Sequence, residues 1–453
     1  MSHGYPVKTS ELLNERNLKP GDRVRIVRDD GLVVEGILMP RYEVIRRDVI
    51  IVKLDNGYNI GVRLDRVKAI EKVDGKARIS KPGSPAPLVE DLKVSPNKKV
   101  FVIGTGGTIA SRIDYETGAV KPYINAAELV EAIPEAARYA QIYAEELFSV
   151  FSEDIKPYHW EKIVERVAKV IEEGYDGIVI AHGTDTMGYT AAALSFAFHK
   201  GLPVPVVLVG AQRSSDRPSS DSAFNFTAAV LTAVVAPFAE VVVVMHGTLS
   251  DSYALAHRGT RVRKMHSSRR DAFQSINTLP LAKIWPESGK IEVLDQRYRK
   301  RKETSLIVEN GFDDKVALIK HYPGRTGEII DILVDKGFHG IVIEGTGFGH
   351  VDQEAIKSIE RATQAGIPVV IATQTVFGRV NLNVYSTGRK MLKAGAIPVE
   401  DMIAETAYVK LSWALARTRN LEDVRQIMTT SLSWEIGERQ SLRYYPTWYH
   451  DKL

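Results

Sequence analysis

The sequence contains no cysteine. This absence excludes a disulfide-stapled scaffold, a zinc finger and a cysteine-ligated iron–sulfur cluster, since each of them is built on cysteine sulfur. It also excludes a thiolate nucleophile, and with it every mechanism that hydrolyses glutamine with a Cys–His pair.

The sequence also has little net charge and no long uninterrupted apolar run. Lys plus Arg number 60 and Asp plus Glu 56, and the formal net charge of +4 is too small to argue for nucleic-acid binding. Residues 1–17 lack the apolar core of a signal peptide. The most apolar stretch, residues 228–245, contains Pro237 and Glu240 and predicts a buried helix followed by a strand at 241–244. We therefore expect a cytoplasmic protein without membrane contact.

The chain is long enough for several domains. Its 453 residues, 44% hydrophobic and 26% charged, have an ordinary globular composition, and about 150 residues per domain predicts about three domains. Residues 1–92 contain short β-rich runs separated by turns, among them the hairpin signal Asp55-Asn56-Gly57. These runs predict a small N-terminal β-barrel of roughly five or six strands, followed by a proline-rich connection that begins at Lys81.

From Lys98 onward, apolar strands ending in glycine-bearing loops alternate with helical segments such as residues 158–173 and 187–199. This alternation predicts an α/β fold with parallel sheets covered on both faces, in which ligands bind at the carboxyl ends of the strands. We expect a larger catalytic α/β domain over 93–297, a linker over 298–313, and a smaller α/β domain with a docking tail over 314–453.

The first candidate site motif is GTGGT at residues 104–108, directly after a predicted strand. It matches neither a P-loop nor the GxGxxG pattern, so nucleotide binding has little support. A tight turn whose threonines cap a helix explains it as well as a hydroxyl held where backbone amides stabilise an oxyanion.

The second motif is HGTDT at residues 182–186, after the predicted strand Gly177–Ala181. Asp185 or Thr186 is a possible helix N-cap, and a single histidine such as His182 beside a glycine is more often structural than catalytic. Two hydroxyls that flank one carboxylate at a strand's carboxyl end nevertheless suggest a site.

The third motif is the basic run RGTRVRKMH at residues 258–266. Runs of charge are commonly solvated loops. A lysine among other cations is also a candidate base towards a threonine hydroxyl. Thr184, Asp185 and Lys264 would then form a nucleophile–base group without cysteine or histidine, and the residues alone leave this a possibility.

Taken together, these motifs resemble the bacterial-type L-asparaginase family over most of residues 98–425. TGGTIA begins at Thr105, HGTDT at His182 and VGAQR at Val209, and an RxxKxxS element ends at Ser267. The resemblance implies an asparaginase-like core of two α/β domains.

The resemblance also implies catalytic roles. Thr108, the second threonine of TGGT, takes the nucleophile position, and Thr184, Asp185 and Lys264 assist proton transfer and hold substrate. Which threonine attacks first is left open.

Substrate-binding roles follow from the same resemblance. Ser152 and Glu153 lie where the family binds the α-amino and α-carboxylate groups of its substrate. A lid tyrosine is expected soon after TGGT, and Tyr115 is the nearest candidate, with Tyr123 as the alternative. The family also uses an acidic group of a neighbouring protomer, which the sequence does not assign.

The N-terminal runs GDRVRI, EGILMPR and KLDNGYNIG are similar to the extra domain of the asparaginase-like subunits of archaeal glutamyl-tRNA(Gln) amidotransferases. This implies hydrolysis of glutamine to glutamate and ammonia, without a cofactor or metal in this chain. It also implies a dimer core and a partner, the amidotransferase's E subunit, which uses ATP and Mg²⁺ and makes most of the tRNA(Gln) contacts.

Two alternatives belong to other classes of function. One is a free cytoplasmic L-asparaginase, and the other is a non-catalytic RNA-binding or assembly protein. The basic run at residues 297–302 is either an exposed linker or a contact for tRNA phosphates.

Overall fold

The structure, a computed structural model, describes residues 5–40, 48–54, 59–73, 97–106, 111–113, 120–122, 133–213, 219–440 and 444–445. Thr108, Tyr115, Tyr123 and the turn Asp55-Asn56-Gly57 lie outside the described residues.

Antiparallel strands form the N-terminal β domain. Its elements are α1 (Val7–Glu15), β1 (Arg23–Arg28), β2 (Val33–Leu38), β3 (Val49–Lys53), β4 (Asn59–Arg63) and β5 (Val67–Lys72). The strands pair in the order β4-β3-β2-β1-β5. Alternate residues are buried, as in Ile50 and Val52 of β3, so one face of the sheet packs on a core that includes Tyr5 and Leu13. The strands on either side of the predicted hairpin turn pair antiparallel, with Lys53 opposite Asn59.

The larger α/β domain is built on an eight-stranded sheet in the order β17-β16-β13-β12-β11-β10-β6-β9. Its strands are β6 (Lys99–Gly104), β9 (Gln141–Glu146), β10 (Gly177–Ala181), β11 (Val206–Val209), β12 (Val241–His246), β13 (Ala254–Arg258), β16 (Ala282–Trp285) and β17 (Lys290–Val293). Two short pairs stand apart, β7 (Ser111–Ile113) with β8 (Val120–Pro122), and β14 (Val262–Lys264) with β15 (Phe273–Ser275). Among its described residues, the helices are α2 (Pro157–Glu172), α3 (Met187–Ala197) and α4 (Ser222–Val235).

Only five strands of the large sheet are parallel. β9, β6, β10, β11 and β12 run in one direction, whereas β13, β16 and β17 extend the sheet as an antiparallel edge. The prediction of a parallel sheet is therefore wrong for these three strands. The connection from β12 to β13, residues 247–253, is too short for the crossover that a parallel neighbour needs.

Both faces of the parallel strands are covered. Val179 and Val207 pack with α4 on one face, while Ile178 and Leu208 pack with α2 and α3 on the other. The apolar stretch 228–245 forms the end of α4 and then β12, as predicted. Within the described ranges, no helix is long and apolar enough to cross a membrane.

The smaller α/β domain has a parallel sheet in the order β18-β19-β20-β21. Its elements are β18 (Val316–Lys320), α5 (Thr326–Asp335), β19 (Gly340–Gly345), α6 (Gln353–Gln364), β20 (Val369–Thr373), α7 (Ser386–Lys393), β21 (Ile397–Pro398), α8 (Ala404–Leu415) and α9 (Leu421–Thr429). Apolar clusters cover both faces of this sheet. Together with the larger domain, this confirms the predicted α/β fold class with a β-rich N-terminal domain.

The basic run at 297–302 is not simply an exposed linker. The Arg301 guanidinium donates to the carbonyl oxygens of Val234 and Asp176, each at 2.8 Å, and Arg299 donates to the carbonyl of His199 at 2.5 Å. The exposed-linker prediction is wrong for these two arginines, because backbone carbonyls of the larger domain hold their side chains.

A fully buried ion pair holds the segment after α9. Lys410 Nζ lies 2.5 Å from Glu435 Oε1, and both side chains have 0% exposure. Glu435 also accepts from the backbone N–H groups of Leu432 and Ser433, and Ser433 Oγ donates to the carbonyl of Ser195 at 3.0 Å. This segment therefore connects the smaller domain to the larger one.

We expect Lys410→Met to destabilise the chain by about 3–5 kcal/mol, because Glu435 is left as an unpaired buried charge. Thermal unfolding of the single variant measures the loss. The double variant Lys410→Met with Glu435→Gln removes both charges and is expected to recover much of it. Equal stability of the single and double variants would contradict this prediction.

Candidate active site

The order of the parallel strands places a crevice between β6 and β10. Along the chain the strands follow as β6, β9, β10, β11 and β12, but in space they lie as β9-β6-β10-β11-β12. The chain therefore winds in opposite directions on either side of the β6–β10 pair, and ligands of such sheets bind at this point, beyond the carboxyl ends of the strands. The first two candidate motifs follow these two strands.

The loop after β6 is fixed to the end of β10. Thr105 donates to the carbonyl of Ala181 through Oγ1 at 2.8 Å and through its backbone N–H at 3.0 Å. Gly106 has φ of 100°, and a Cβ there would lie 2.4 Å from the carbonyl oxygen of Val150. Only glycine fits this position. The backbone of the GTGGT loop is therefore fixed at Gly106.

The loop after β10 meets the lysine predicted from the third motif. Lys264 Nζ lies 2.8 Å from Thr184 Oγ1 and 2.7 Å from Asp185 Oδ1. Thr184 is buried, whereas the Asp185 side chain is 66% exposed. The structure thus brings together three of the four predicted catalytic residues, and the fourth, Thr108, lies outside the described residues.

His182 has a structural role in this loop. Its Nδ1 lies 2.6 Å from the carbonyl oxygen of Gly183, which requires a proton on Nδ1, so Nε2 accepts from the Thr190 hydroxyl at 2.9 Å. Trp160 Nε1 donates in turn to Thr190. Complete burial lowers the pKa of His182 to about 4. The imidazole is therefore neutral and turned away from proton transfer.

The predicted substrate residues lie against the same loop. Ser152 begins a short 3₁₀-helix, Ser152–Asp154, and is buried, whereas Glu153 is exposed. Thr186 Oγ1 donates to the carbonyl of Ser152 at 2.6 Å and makes no capping bond to α3. A Cβ at Gly183 would lie 2.7 Å from the Ser152 Cβ. The two segments are therefore in close contact.

Sequence reasoning missed the residue that fixes the neighbouring loop after β11. The Asp221 carboxylate accepts from the backbone N–H groups of Gln212 and Arg213 at 3.0 Å each, and from Asn225 Nδ2 at 3.0 Å. The available signal was an aspartate immediately before a helix, which usually marks an N-cap. Here the carboxylate bonds to the loop instead, so it stabilises the edge of the crevice.

The first part of the basic run, residues 258–262, is buried and is not a solvated loop. Arg258 is buried and donates to Glu240 at 2.9 Å and to Asp295 at 3.0 Å. Arg261 is also buried and pairs with Asp401 at 3.1 Å. The solvated-loop alternative is wrong for these two arginines. Among the residues that the structure describes, no cluster of three or more His, Cys, Asp or Glu side chains has the arrangement of a metal site.

Family models match three successive parts of the chain. The GatD N-terminal domain matches residues 18–73, the N-terminal asparaginase domain residues 99–299, and the glutaminase/asparaginase C-terminal domain residues 315–428. The first match covers most of the N-terminal β domain, and the other two cover the two α/β domains.

Two relatives match this chain over nearly its full length, and a solved asparaginase matches part of it. The D subunit of the glutamyl-tRNA(Gln) amidotransferase of Aeropyrum pernix is 62% identical over 422 residues, which is 93% of this chain and 99% of the relative. The D subunit of Pyrococcus abyssi is 55% identical over 433 residues, 95% of this chain and 98% of the relative. The solved thermostable L-asparaginase from Thermococcus kodakarensis is 33% identical with a TM-score of 0.67, and covers 75% of this chain and 100% of its own. The chain belongs to the family of glutamyl-tRNA(Gln) amidotransferase D subunits, which are built on an asparaginase fold.

Proposed function

We propose that this chain is the glutaminase component of a tRNA-dependent amidotransferase. It hydrolyses glutamine to glutamate and ammonia, and a partner protein uses the ammonia to convert glutamyl-tRNA(Gln) to glutaminyl-tRNA(Gln). The observation that carries the proposal is the Thr184–Asp185–Lys264 group at the β6–β10 crevice, in a chain similar to D subunits over nearly its full length.

The chemistry is acyl transfer to threonine. The Thr108 Oγ attacks the side-chain amide carbon of glutamine and forms a C–O bond, while the C–N bond breaks and ammonia leaves. Lys264 acts as the base, because it takes up the hydroxyl proton by way of Thr184 and then returns a proton to the leaving nitrogen. Between these two proton transfers Lys264 carries the proton as an ammonium group, which Asp185, 2.7 Å from Lys264 Nζ, stabilises. Water then hydrolyses the ester, releases glutamate and restores the hydroxyl.

Binding of the α-amino and α-carboxylate groups falls to Ser152 and Glu153. The contact of Ser152 with the HGTDT loop supports this assignment, because Ser152 lies against Gly183 and its backbone carbonyl accepts from Thr186. Tyr115 is the proposed lid tyrosine. The predicted domain bounds 1–92, 93–297 and 314–453, with 298–313 between the α/β domains, stay part of the proposal.

The proposed assembly contains a dimer core of this chain, with the amidotransferase's E subunit as partner. ATP and Mg²⁺ belong to the partner, which also makes most of the contacts to tRNA(Gln), and the complex works in the cytoplasm. The N-terminal β domain, which matches the GatD N-terminal model, supports this assembly over a free L-asparaginase, as the solved asparaginase covers only 75% of the chain.

We expect the isolated chain to hydrolyse glutamine slowly, and its ammonia release to rise by a factor on the order of 10 when the E subunit and glutamyl-tRNA(Gln) are added. The physical reason is linkage: a partner and a tRNA that bind the hydrolysing state of this chain more tightly than its idle state raise the population of the hydrolysing state. A coupled ammonia assay with glutamine and with asparagine measures the effect. Rapid asparagine hydrolysis that ignores both additions would favour the free asparaginase, and absence of hydrolysis under all conditions would favour a non-catalytic protein.

A further inference from the structure

The strand that carries Lys264 is held from two sides. Lys264 is the last residue of β14, and its side chain contacts Thr184 and Asp185 of the same domain. Successive side chains of a strand point to opposite faces, so the preceding Arg263 points away from this group. It reaches Glu405, in the first turn of α8 of the smaller domain.

The residues just before β14 are anchored to the same part of the smaller domain. Arg261, which is 2% exposed, donates to the carbonyl oxygen of Asp401 at 3.0 Å and to its carboxylate at 3.1 Å. Thr406 Oγ1 donates to the carbonyl of Thr260 at 2.9 Å. With Arg263 and Glu405, three contacts connect residues 260–263 to residues 401–406.

The Arg263–Glu405 contact is a poor stabilising interaction. Arg263 Nε lies 3.2 Å from Glu405 Oε1, and the two side chains are 31% and 16% exposed. The other carboxylate oxygen, Oε2, is buried and has no hydrogen-bond partner among the residues that the structure describes. Burial, together with repulsion from Glu405, raises the pKa of nearby Glu344. A half-paired carboxylate that also repels its neighbour gives up part of the stabilisation that an ion pair supplies.

We propose that Glu405 is a positioning residue for Lys264. Its contact with Arg263 fixes the position and direction of β14. The smaller domain thereby sets the distance between Lys264 Nζ and Thr184 Oγ1. The proposal rests on the proposed function, because it assigns the catalytic proton transfer to Lys264. It extends that function by making the smaller domain part of the proton-transfer geometry.

The test is Glu405→Gln in the full chain assembled with the E subunit and glutamyl-tRNA(Gln). We expect kcat for glutamine to fall about 10-fold while KM changes less than about twofold, since small misplacements of a catalytic group lower the rate without removing binding contacts. The reversed pair, Arg263→Glu with Glu405→Arg, is expected to recover most of the lost kcat. In a Lys264→Met background, Glu405→Gln should cause no further loss.

The matched control is Glu328→Gln, which breaks an Arg–Glu pair at 2.9 Å on the exposed face of α5 and should leave kcat unchanged. A Glu405→Gln variant that melts earlier but keeps its kcat would overturn the positioning role, as would a change confined to KM. If the unmodified complex releases ammonia from asparagine and not from glutamine, the proposed function fails, and the same variants are compared on asparagine. If neither amide is hydrolysed, both proposals fall.

Discussion

Lys264→Met is expected to lower kcat for glutamine hydrolysis about 10³-fold, the range typical of losing a general base. The substitution removes the amine that lies 2.8 Å from Thr184 Oγ1 and 2.7 Å from Asp185 Oδ1. Methionine is unbranched and has a similar length, so it fills the space of the largely buried lysine stem. Asp185 is 66% exposed and stays hydrated after losing its partner. The loss should therefore appear in catalysis and not in folding.

The measurement is ammonia release by the complex with the E subunit and glutamyl-tRNA(Gln), with circular dichroism as the check on folding. Lys98→Met is a matched control, because Lys98 also pairs with an aspartate, Asp176, at 2.7 Å. Lys98 directly precedes β6 and so lies at the amino end of this strand, whereas the crevice lies at the carboxyl ends of the strands. If both variants kept the parent kcat, Lys264 would not be the base.

The fold was predictable where the signal is local. Continuous apolar runs gave the buried strands, and the helix and strand of the stretch 228–245 were both predicted from it. The direction of a strand is not encoded in its apolar pattern, which explains why the antiparallel strands β13, β16 and β17 were missed. Direction followed instead from the length of the connections.

Buried charges were the least predictable feature. Arg258 and Arg261 lie in a run that is typical of solvent-exposed loops, and they are buried because Glu240, Asp295 and Asp401 neutralise them. Asp401 is 140 positions away from Arg261. Only the tertiary fold brings such partners together, so the local charge pattern could not reveal them.

The candidate site was more predictable from the sequence than the buried charges and less predictable than the local fold. Thr184 and Lys264 are 80 positions apart, and residue chemistry alone left their pairing a possibility. Resemblance to a family supplied the expectation, and the fold supplies a physical reason: β10 ends at the crevice, and Lys264 at the end of β14 reaches the loop that follows β10. Ser152 similarly gains its place from contact with Gly183, which no local pattern indicates.

Thr108→Val is expected to lower ammonia release by on the order of 10⁴-fold or more, since it removes the proposed nucleophile. Thr184→Val is expected to slow the reaction less, because Thr184 takes the relay position. Thr184 is 6% exposed, and Lys264 already lies 2.8 Å from its oxygen. Valine has the shape of threonine without its hydroxyl, so each variant tests one oxygen.

Trapping the acyl-enzyme distinguishes the roles of the two threonines. Acid quenching of the complex with labelled glutamine should leave label on the chain of the parent and of Thr184→Val, and none on Thr108→Val. The corresponding control is Thr278→Val, a threonine outside the crevice that should keep the parent level of label. Label that persists in Thr108→Val and disappears in Thr184→Val would move the nucleophile to Thr184, and Lys264 would then act directly on the attacking hydroxyl.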